Sequence, residues 1–369
     1  MIEAVVAGHL CLDIIPDLSS LTPGQFDASF LPGRLVQCGA ARLSTGGAVA
    51  NTGIALHRLG IDTRLIAGMG DDPLGMLLRQ CVNAQGEGLG KDLLVKAGSS
   101  TSYSIVISPP GTDRRFLHNP GANDDFSDQD VNMDLVKDAR LFHFGYPPVM
   151  ARMYSDEGRQ LQSLFRRVKD AGLTTSLDMT FPDPDSPAGK ADWVTILKNV
   201  LPYVDVFVPS FDEIAFMLWK KMDIPLSREK LAEISGQLLS MGARMVMIKL
   251  GNRGLYLHCG SRSSLNGMGK AAPNKLYQWA DFEAWLPCYS VEVVGTTGSG
   301  DVTIAGFLAS LLRGLTPVDA LNTALAVGAC CVEAADALSG ILPWDKTLER
   351  INAGWNRRIE PDQFLPLQQ

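Results

Sequence analysis

The chain has 369 residues, 46% of them hydrophobic and 20% charged, with a formal net charge of -7. That balance excludes a disordered chain and counts against a general polyanion-binding surface, so nucleic acid is not an expected partner. A small phosphorylated ligand needs only local positive potential and stays open.

The length suits one large or two smaller domains. Seven cysteines lacking CxxC spacing read as reduced, mostly buried thiols of a cytoplasmic protein rather than as a zinc site. The start, MIEAVVAGHLCLDIIP, has neither a basic beginning nor a long apolar core, and no stretch reaches ~18 uninterrupted apolar residues. No signal peptide and no membrane partner are expected.

Residues 4–8, AVVAG, read as a strand. Asp13 follows in GHLCLDIIP. A carboxylate beyond a strand end suits sugar hydroxyls, and serves equally as a plain turn aspartate. Residues 16–45 are rich in Pro, Gly and Ser and run into STGG at residues 44–47. The helical spacing of AVANTGIALHRLG stops on Gly60, a C-cap. Asn51 falls in its first turns and offers both a donor and an acceptor, which suits a polyol; an ordinary polar helix residue is the alternative.

TRLIAGMG reads as a strand and PLGMLLRQCV as a helix. Residues 101–118 read as two strands around Pro109, Pro110 and Gly111. With residues 16–45 they form either a small separate sheet, suited to be a lid, or a surface hairpin of the main sheet. LFHFG, TTSLDM, DVFVP and RMVMIKL are short apolar runs with helical patterns between them, for example REKLAEISGQLLSMG. Such alternation predicts an α/β fold with a mostly parallel sheet and helices on both faces.

In PSFDEIAFM, Ser210 and Glu213 have capping-box spacing, and Glu213 is alternatively a partner for hydrated Mg²⁺. IKLGNRGLYL reads as strand, tight turn and strand; Lys249 and Arg253 either approach nucleotide phosphates or are hairpin surface charges. Residues 258–290 read as an irregular insertion between strands, and IEPDQFLPLQQ as a surface tail.

VEVVGTTGSGD then runs from a β-branched segment, read as a strand, through three glycines to a helix start. Free backbone N–H groups at a helix N-terminus make an anion site, and glycines let a charged oxygen come close. No lysine follows in P-loop spacing. A lone carboxylate beside an anion hole is repelled by phosphate unless it accepts a proton from an attacking hydroxyl. Asp301 is therefore a general base or, more plainly, an N-cap.

Taken together, GGAVANTGIALHRLG, GMGDDPLG, RRFLHNPGAN, PSFDE, IKLGNRGLYL and VEVVGTTGSGD, in this order from about residue 2 to residue 340, resemble the ribokinase-like sugar kinase (PfkB) family. The resemblance implies a single ribokinase-like domain over residues 1–369, a three-layer α/β/α core with a small β-sheet lid. The lid corresponds to segments about 16–45 and 101–120, with an insertion about 258–290. It implies transfer of the γ-phosphoryl group of ATP, with Mg²⁺, to a hydroxymethyl group of a small carbohydrate. A nucleoside kinase of the same fold and a non-catalytic sugar or nucleotide sensor are the alternatives.

By the same resemblance Asp301 matches the catalytic base, and Gly298, Ser299 and Gly300 match the anion hole. Asp13, Gly47, Asn51 and Asn123 match substrate positions. Lys249, Gly251, Gly254 and Thr296 match the nucleotide side, and Glu213 the residue reaching Mg²⁺ through water. In several members the lid also forms a dimer contact, so a homodimer through the lid is an expectation.

Two positions depart from the family pattern. Gly295 replaces an aspartate that helps bind K⁺ in activated members, which counts against K⁺ activation. Ser210 replaces an asparagine. Arg114 and Arg115 either meet a substrate anion or face solvent. The scarcity of basic residues near Asp13 and Asn51 favours a neutral or keto-acid sugar over a sugar phosphate.

Overall fold

The structure is a computed structural model that describes residues 2–29, 31–109 and 115–358. Arg114, Pro110, Gly111 and the proposed C-terminal tail lie outside the described residues.

Fourteen strands form among them: β1 (Ala4–Gly8), β2 (Cys11–Ile15), β3 (Arg42–Gly46), β4 (Thr63–Ile66), β5 (Gly68–Gly70), β6 (Leu94–Lys96), β7 (Tyr103–Ile107), β8 (Arg115–Asn119), β9 (Leu141–Gly145), β10 (Thr174–Asp178), β11 (Val206–Phe207), β12 (Met245–Lys249), β13 (Leu255–Cys259) and β14 (Glu283–Leu286). Eight build the central sheet in the order β14-β13-β12-β11-β10-β9-β1-β4. From β4 to β12 every pairing is parallel, and β13 and β14 close the far edge antiparallel. Between β12 and β13 this follows from the short Gly251–Arg253 turn, which leaves no room for a crossover helix.

Successive residues of β1 belong to opposite cores: Ala4 and Val6 pack into one apolar cluster, Val5 and Ala7 into the other. A strand covered on both faces must be apolar at every position, which is why these segments read as continuous runs. The order of the sheet reverses at β1, whose neighbours β4 and β9 lie on opposite sides. Ligands collect beyond the strand ends at such a reversal.

The second sheet, β3-β2-β7-β8, is separate from the first. β7 and β8 are the antiparallel hairpin expected, so the separate-sheet alternative holds. Its root is pinned. The Asp72 carboxylate accepts from Thr101 N–H at 2.7 Å and Thr101 O–H at 2.6 Å, and from Gly75 N–H at 2.8 Å.

Several expectations need correction. Asp13 does not follow a central strand; it lies inside β2, on the lid. Of residues 16–45 only 42–45 join the lid as strand, while Pro23–Ser29 form a helix. TRLIAGMG divides into β4 and β5, which belong to different sheets. The segment 258–290 is not irregular throughout, since β13 ends at Cys259 and β14 occupies Glu283–Leu286. Residues 291–294 are not a strand. No neighbouring strand is there to pair with them; Val294 and Gly295 donate instead to the Val332 carbonyl, and Val291 and Val293 line a cavity. All seven cysteines are free, and Cys11, Cys259, Cys330 and Cys331 are buried.

Candidate active site

Asp301 is the centre of the site. The helix Ser299–Leu312 begins after Gly298, whose φ of 69° places it in the left-handed region. A Cβ on Gly298 would lie 2.4 Å from the Ala337 Cβ, so the turn admits no side chain there. Asp301 is third in the helix, 2% exposed, and makes no cap bond. The N-cap alternative therefore fails.

Its carboxylate is held by other elements instead. The Asn51 Nδ2 donates to Oδ2 at 2.9 Å, and the Tyr146 hydroxyl donates to the same oxygen at 2.8 Å. Thr52 Oγ1 donates to the Asp301 carbonyl at 3.3 Å and lies 3.5 Å from Oδ1. Burial pushes the carboxyl above its ordinary range; Lys249 and these donors pull against it. Burial also keeps the Tyr146 phenol protonated, as a donor requires.

A second charged group sits under the helix start. Lys249, at the end of β12, pairs with Asp178, at the end of β10, at 2.6 Å. Burial pulls the ammonium down, but Asp178, Glu213 and Asp301 outweigh it and hold Lys249 protonated. Burial pushes Asp178 up to about 8 against the pull of Lys249, and Glu213 and Asp301 add to the push. Three carboxylates thus surround one cation away from bulk water. A Cβ on Gly300 would stand 3.7 Å from Lys249 Nζ, so the glycine turn and the ammonium face one space.

Glu213 lies in the first turn of the helix Phe211–Trp219. It forms the capping box, accepting from Ser210 N–H at 2.7 Å while its own N–H donates to Ser210 Oγ at 3.4 Å. It also lies in the field of Lys249, with its carboxyl raised by burial.

Two cavities flank the Gly298–Asp301 turn. One, of about 230 Å³, is lined by Lys249, Gly251, Gly254, Thr296, Ser299 and Gly300, with Val291, Leu325 and Val332 as an apolar wall. The other, of about 650 Å³, lies under the lid and is lined by Asp13, Ser44, Asn51 and Thr297 among others. Gly47 has φ 90° and abuts His9.

Asn123 does not face either cavity. It is fully buried, with Oδ1 accepting from Leu10 N–H at 3.3 Å and Nδ2 donating to Leu10 C=O at 3.0 Å. It braces the crossing from the central sheet to the lid.

Tyr146, Thr52, Asp178 and His9 were not singled out in the sequence. Asp178 carries the signal applied to Asp13, a carboxylate where an apolar strand ends. Tyr146 follows β9 with φ 71° and precedes Pro147 and Pro148; a strained tyrosine at a central strand end is a feature of active sites. Among the described residues, the buried side-chain atoms lacking a partner are His9 Nδ1 and Nε2, Asn51 Oδ1, Arg79 Nε, His143 Nε2 and Asp178 Oδ2. His9, Asn51 and Asp178 each adjoin residues already placed in the site, where bound ligands satisfy such groups.

A family model described as pfkB family carbohydrate kinase matches residues 1–345. A probable fructokinase-5 from Arabidopsis thaliana is 24% identical over 345 residues, covering 91% of this chain and 92% of that protein. An ATP-dependent ribose-1-phosphate kinase from Halopiger xanaduensis is 25% identical over 329 residues, covering 89% and 91%. Among solved structures, an Arabidopsis thaliana ribokinase complexed with ribose and ATP superposes with TM-score 0.71 at 19% identity, covering 95% of this chain and 98% of that one. A putative ribokinase II from E. coli, in complex with ATP and Mg²⁺, gives TM-score 0.70 at 20% identity, covering 96% and 100%. Among the described residues no helix is long and apolar enough to cross a membrane.

Proposed function

The chain belongs to the pfkB family of carbohydrate kinases, and on that premise we propose that Asp301 is the general base for transfer of the ATP γ-phosphoryl group to a hydroxymethyl group of a small neutral or keto-acid sugar. The observation that carries this reading is the place of Asp301. It is buried at a helix N-terminus, between a cavity suited to a nucleotide and a cavity under a polar lid.

The acceptor hydroxyl, lying under the lid near Asn51, donates to Asp301. As its oxygen attacks the γ-phosphorus, Asp301 takes the proton and the bond to the β,γ-bridging oxygen breaks, leaving ADP. The helix N-terminus, with the backbone N–H groups of Gly298 and Gly300, faces the charge that spreads over the transferring group, while Ser299 N–H donates at 3.3 Å to the Thr296 carbonyl. Lys249 adds a fixed positive charge beside the same turn. The lid excludes water, which otherwise competes as acceptor.

ATP supplies the phosphoryl group and Mg²⁺ neutralises its charge. Lys249, Gly251, Gly254 and Thr296 would hold the nucleotide. No group of three or more His, Cys, Asp or Glu side chains among the described residues is arranged to hold a metal by itself. Glu213 and the unpartnered Asp178 Oδ2 would reach Mg²⁺ through water.

The test is ATP consumption with Mg²⁺ across sugars, sugar acids and nucleosides, each with wild type and Asp301→Asn. Turnover in the wild type and none in the variant is expected; equal turnover removes the base assignment. A second reading, a nucleoside acceptor, is favoured by the apolar part of the lid cavity, where Ile15, Val106 and Phe116 offer a surface for a planar base.

A further inference from the structure

The two glycines that close the STGG turn each make room for one polar side chain. A Cβ on Gly46 would fall 2.5 Å from Asp13 Oδ2, and one on Gly47 would fall 2.5 Å from His9 Nδ1. His9, Cys11 and Asp13 alternate with Leu10 and Leu12, which are fully buried in the core. Cys11 Sγ lies 3.4 Å from Asp13 Oδ1 and 3.8 Å from Ser104 Oγ, so these side chains share a face.

Strand register carries that face across the lid. Asp13 is opposite Ser44 on β3 and Ser104 on β7, and Ser104 is opposite His118 on β8. Ser104 Oγ and His118 Nδ1 are 3.0 Å apart. The His118 ring lies 5.3 Å from the His9 ring, and His9 lies 6.0 Å from the ring of Tyr146, which holds the base. One polar row thus runs from the lid edge to the catalytic centre.

His9 is the member of this set that the fold does not explain. It is 4% exposed, and neither ring nitrogen has a partner. Burial, with His118 adding, lowers its pKa to about 3, so the ring is neutral and offers one donor and one acceptor. Leucine or phenylalanine would fill the same place without burying unpaired nitrogens. Asn51 Oδ1 is in the same condition, while its Nδ2 is committed to Asp301.

We infer that His9 is an acceptor-recognition residue, and that the row Ser44, Asp13, Ser104 and His118 beside it selects a neutral polyol over an acceptor bearing a carboxylate or phosphate. The row offers hydroxyls, imidazoles and one carboxylate, and no cation. Arg42, on the cavity wall, is exposed and has the Asp17 carboxylate in its field. A substrate anion in that cavity meets Asp13, Asp17 and Asp336 against Arg42 alone among the cavity's lining residues.

This inference rests on the kinase reading above. Initial rates with ATP and Mg²⁺ are measured on the full chain for D-fructose, D-ribose, adenosine, 2-keto-3-deoxy-D-gluconate and D-fructose 6-phosphate. The proteins are wild type, His9→Leu and His9→Gln, with His9→Phe in place of leucine if the latter does not fold. A neutral acceptor is expected to give the highest kcat/KM. The apolar variant should raise its KM at least tenfold with KM for ATP within twofold, and His9→Gln should recover part of the loss. An unchanged acceptor KM in the folded apolar variant, or a charged acceptor with the highest kcat/KM, overturns the inference and leaves the kinase reading standing. No turnover of any of the five by wild type removes the kinase reading and this inference with it.

Discussion

Tyr146 donates its phenolic hydrogen to Asp301 Oδ2 at 2.8 Å from a backbone held at φ 71°. The strained residue follows the last glycine of β9, and its own N–H lies 3.4 Å from the Asp178 carbonyl. A non-glycine residue in this conformation costs of order 1–3 kcal/mol and persists only where its surroundings enforce it. Here it aims a neutral donor at the Asp301 carboxylate without adding charge.

Removing that donor should move the pH profile. The hydrogen bond favours the ionised carboxylate and so lowers the Asp301 pKa, against burial, which raises it. In Tyr146→Phe the pKa rises further. Activity needs the ionised base and is lost as pH falls through its pKa, so the acid limb of kcat should shift upward by about one pH unit. A rate reduced equally at every pH would instead indicate a purely structural role for the phenol.

Asp301→Asn should lower kcat by about 10³-fold, within the range for loss of a general base. The amide keeps the side chain's size and can still accept from Tyr146, so the thermal midpoint should change little. Turnover and calorimetry on the same preparation separate the two effects.

Lys249→Met should destabilise the fold by about 1–3 kcal/mol at neutral pH, because the buried and protonated Asp178 loses its hydrogen-bond partner. The penalty should depend on pH. Asp178 already has a raised pKa, so between its ordinary value and about 8 the folded chain holds a proton that the unfolded chain has released. Stability from this group therefore falls as pH rises through that window. Loss of Lys249 moves the upper edge of that window above 8, so urea midpoints should show a larger deficit at about pH 9–10 than at about pH 7. Adding Asp178→Asn should recover part of it.

Turnover should be the same within about twofold, well under the tenfold that 1.4 kcal/mol represents, in K⁺ or Na⁺ at equal ionic strength. Gly295 offers no carboxylate, and a Cβ there would fall 2.8 Å from the Ala334 carbonyl oxygen and 3.1 Å from that of Ala335. Gly295→Asp should accordingly lower the thermal midpoint rather than create a K⁺ response. Strong stimulation of the wild type by K⁺ would show that other groups supply the cation site.

Much of the site was legible because its parts are local. A glycine turn leading into a helix, a capping box and a hairpin at Gly251 each arise from a few adjacent residues whose backbone preferences are written in their chemistry. Alternating apolar runs and helical spacing likewise set the α/β architecture, since a strand buried on both faces tolerates little else. What failed was placement beyond the local run. VEVV reads as a strand, yet it lacks a neighbour to pair with and serves as a cavity wall. The hydrogen bonds of Asn123 go to Leu10, far away in sequence, which no local pattern announces.

The amino-acid sequence by itself determined which chemistries were on hand: one carboxylate at a positive helix end, few cations near the acceptor side, and glycines where charge must come close. Only the tertiary structure decided which groups act together. Asn51, Thr52, Tyr146 and Asp301 meet although 250 residues separate Asn51 from Asp301, and Lys249 finds Asp178 across the sheet. The reason is that burial makes polar groups obligatory partners, and which strand ends and helix starts are buried together is a property of sheet order and register rather than of any local run.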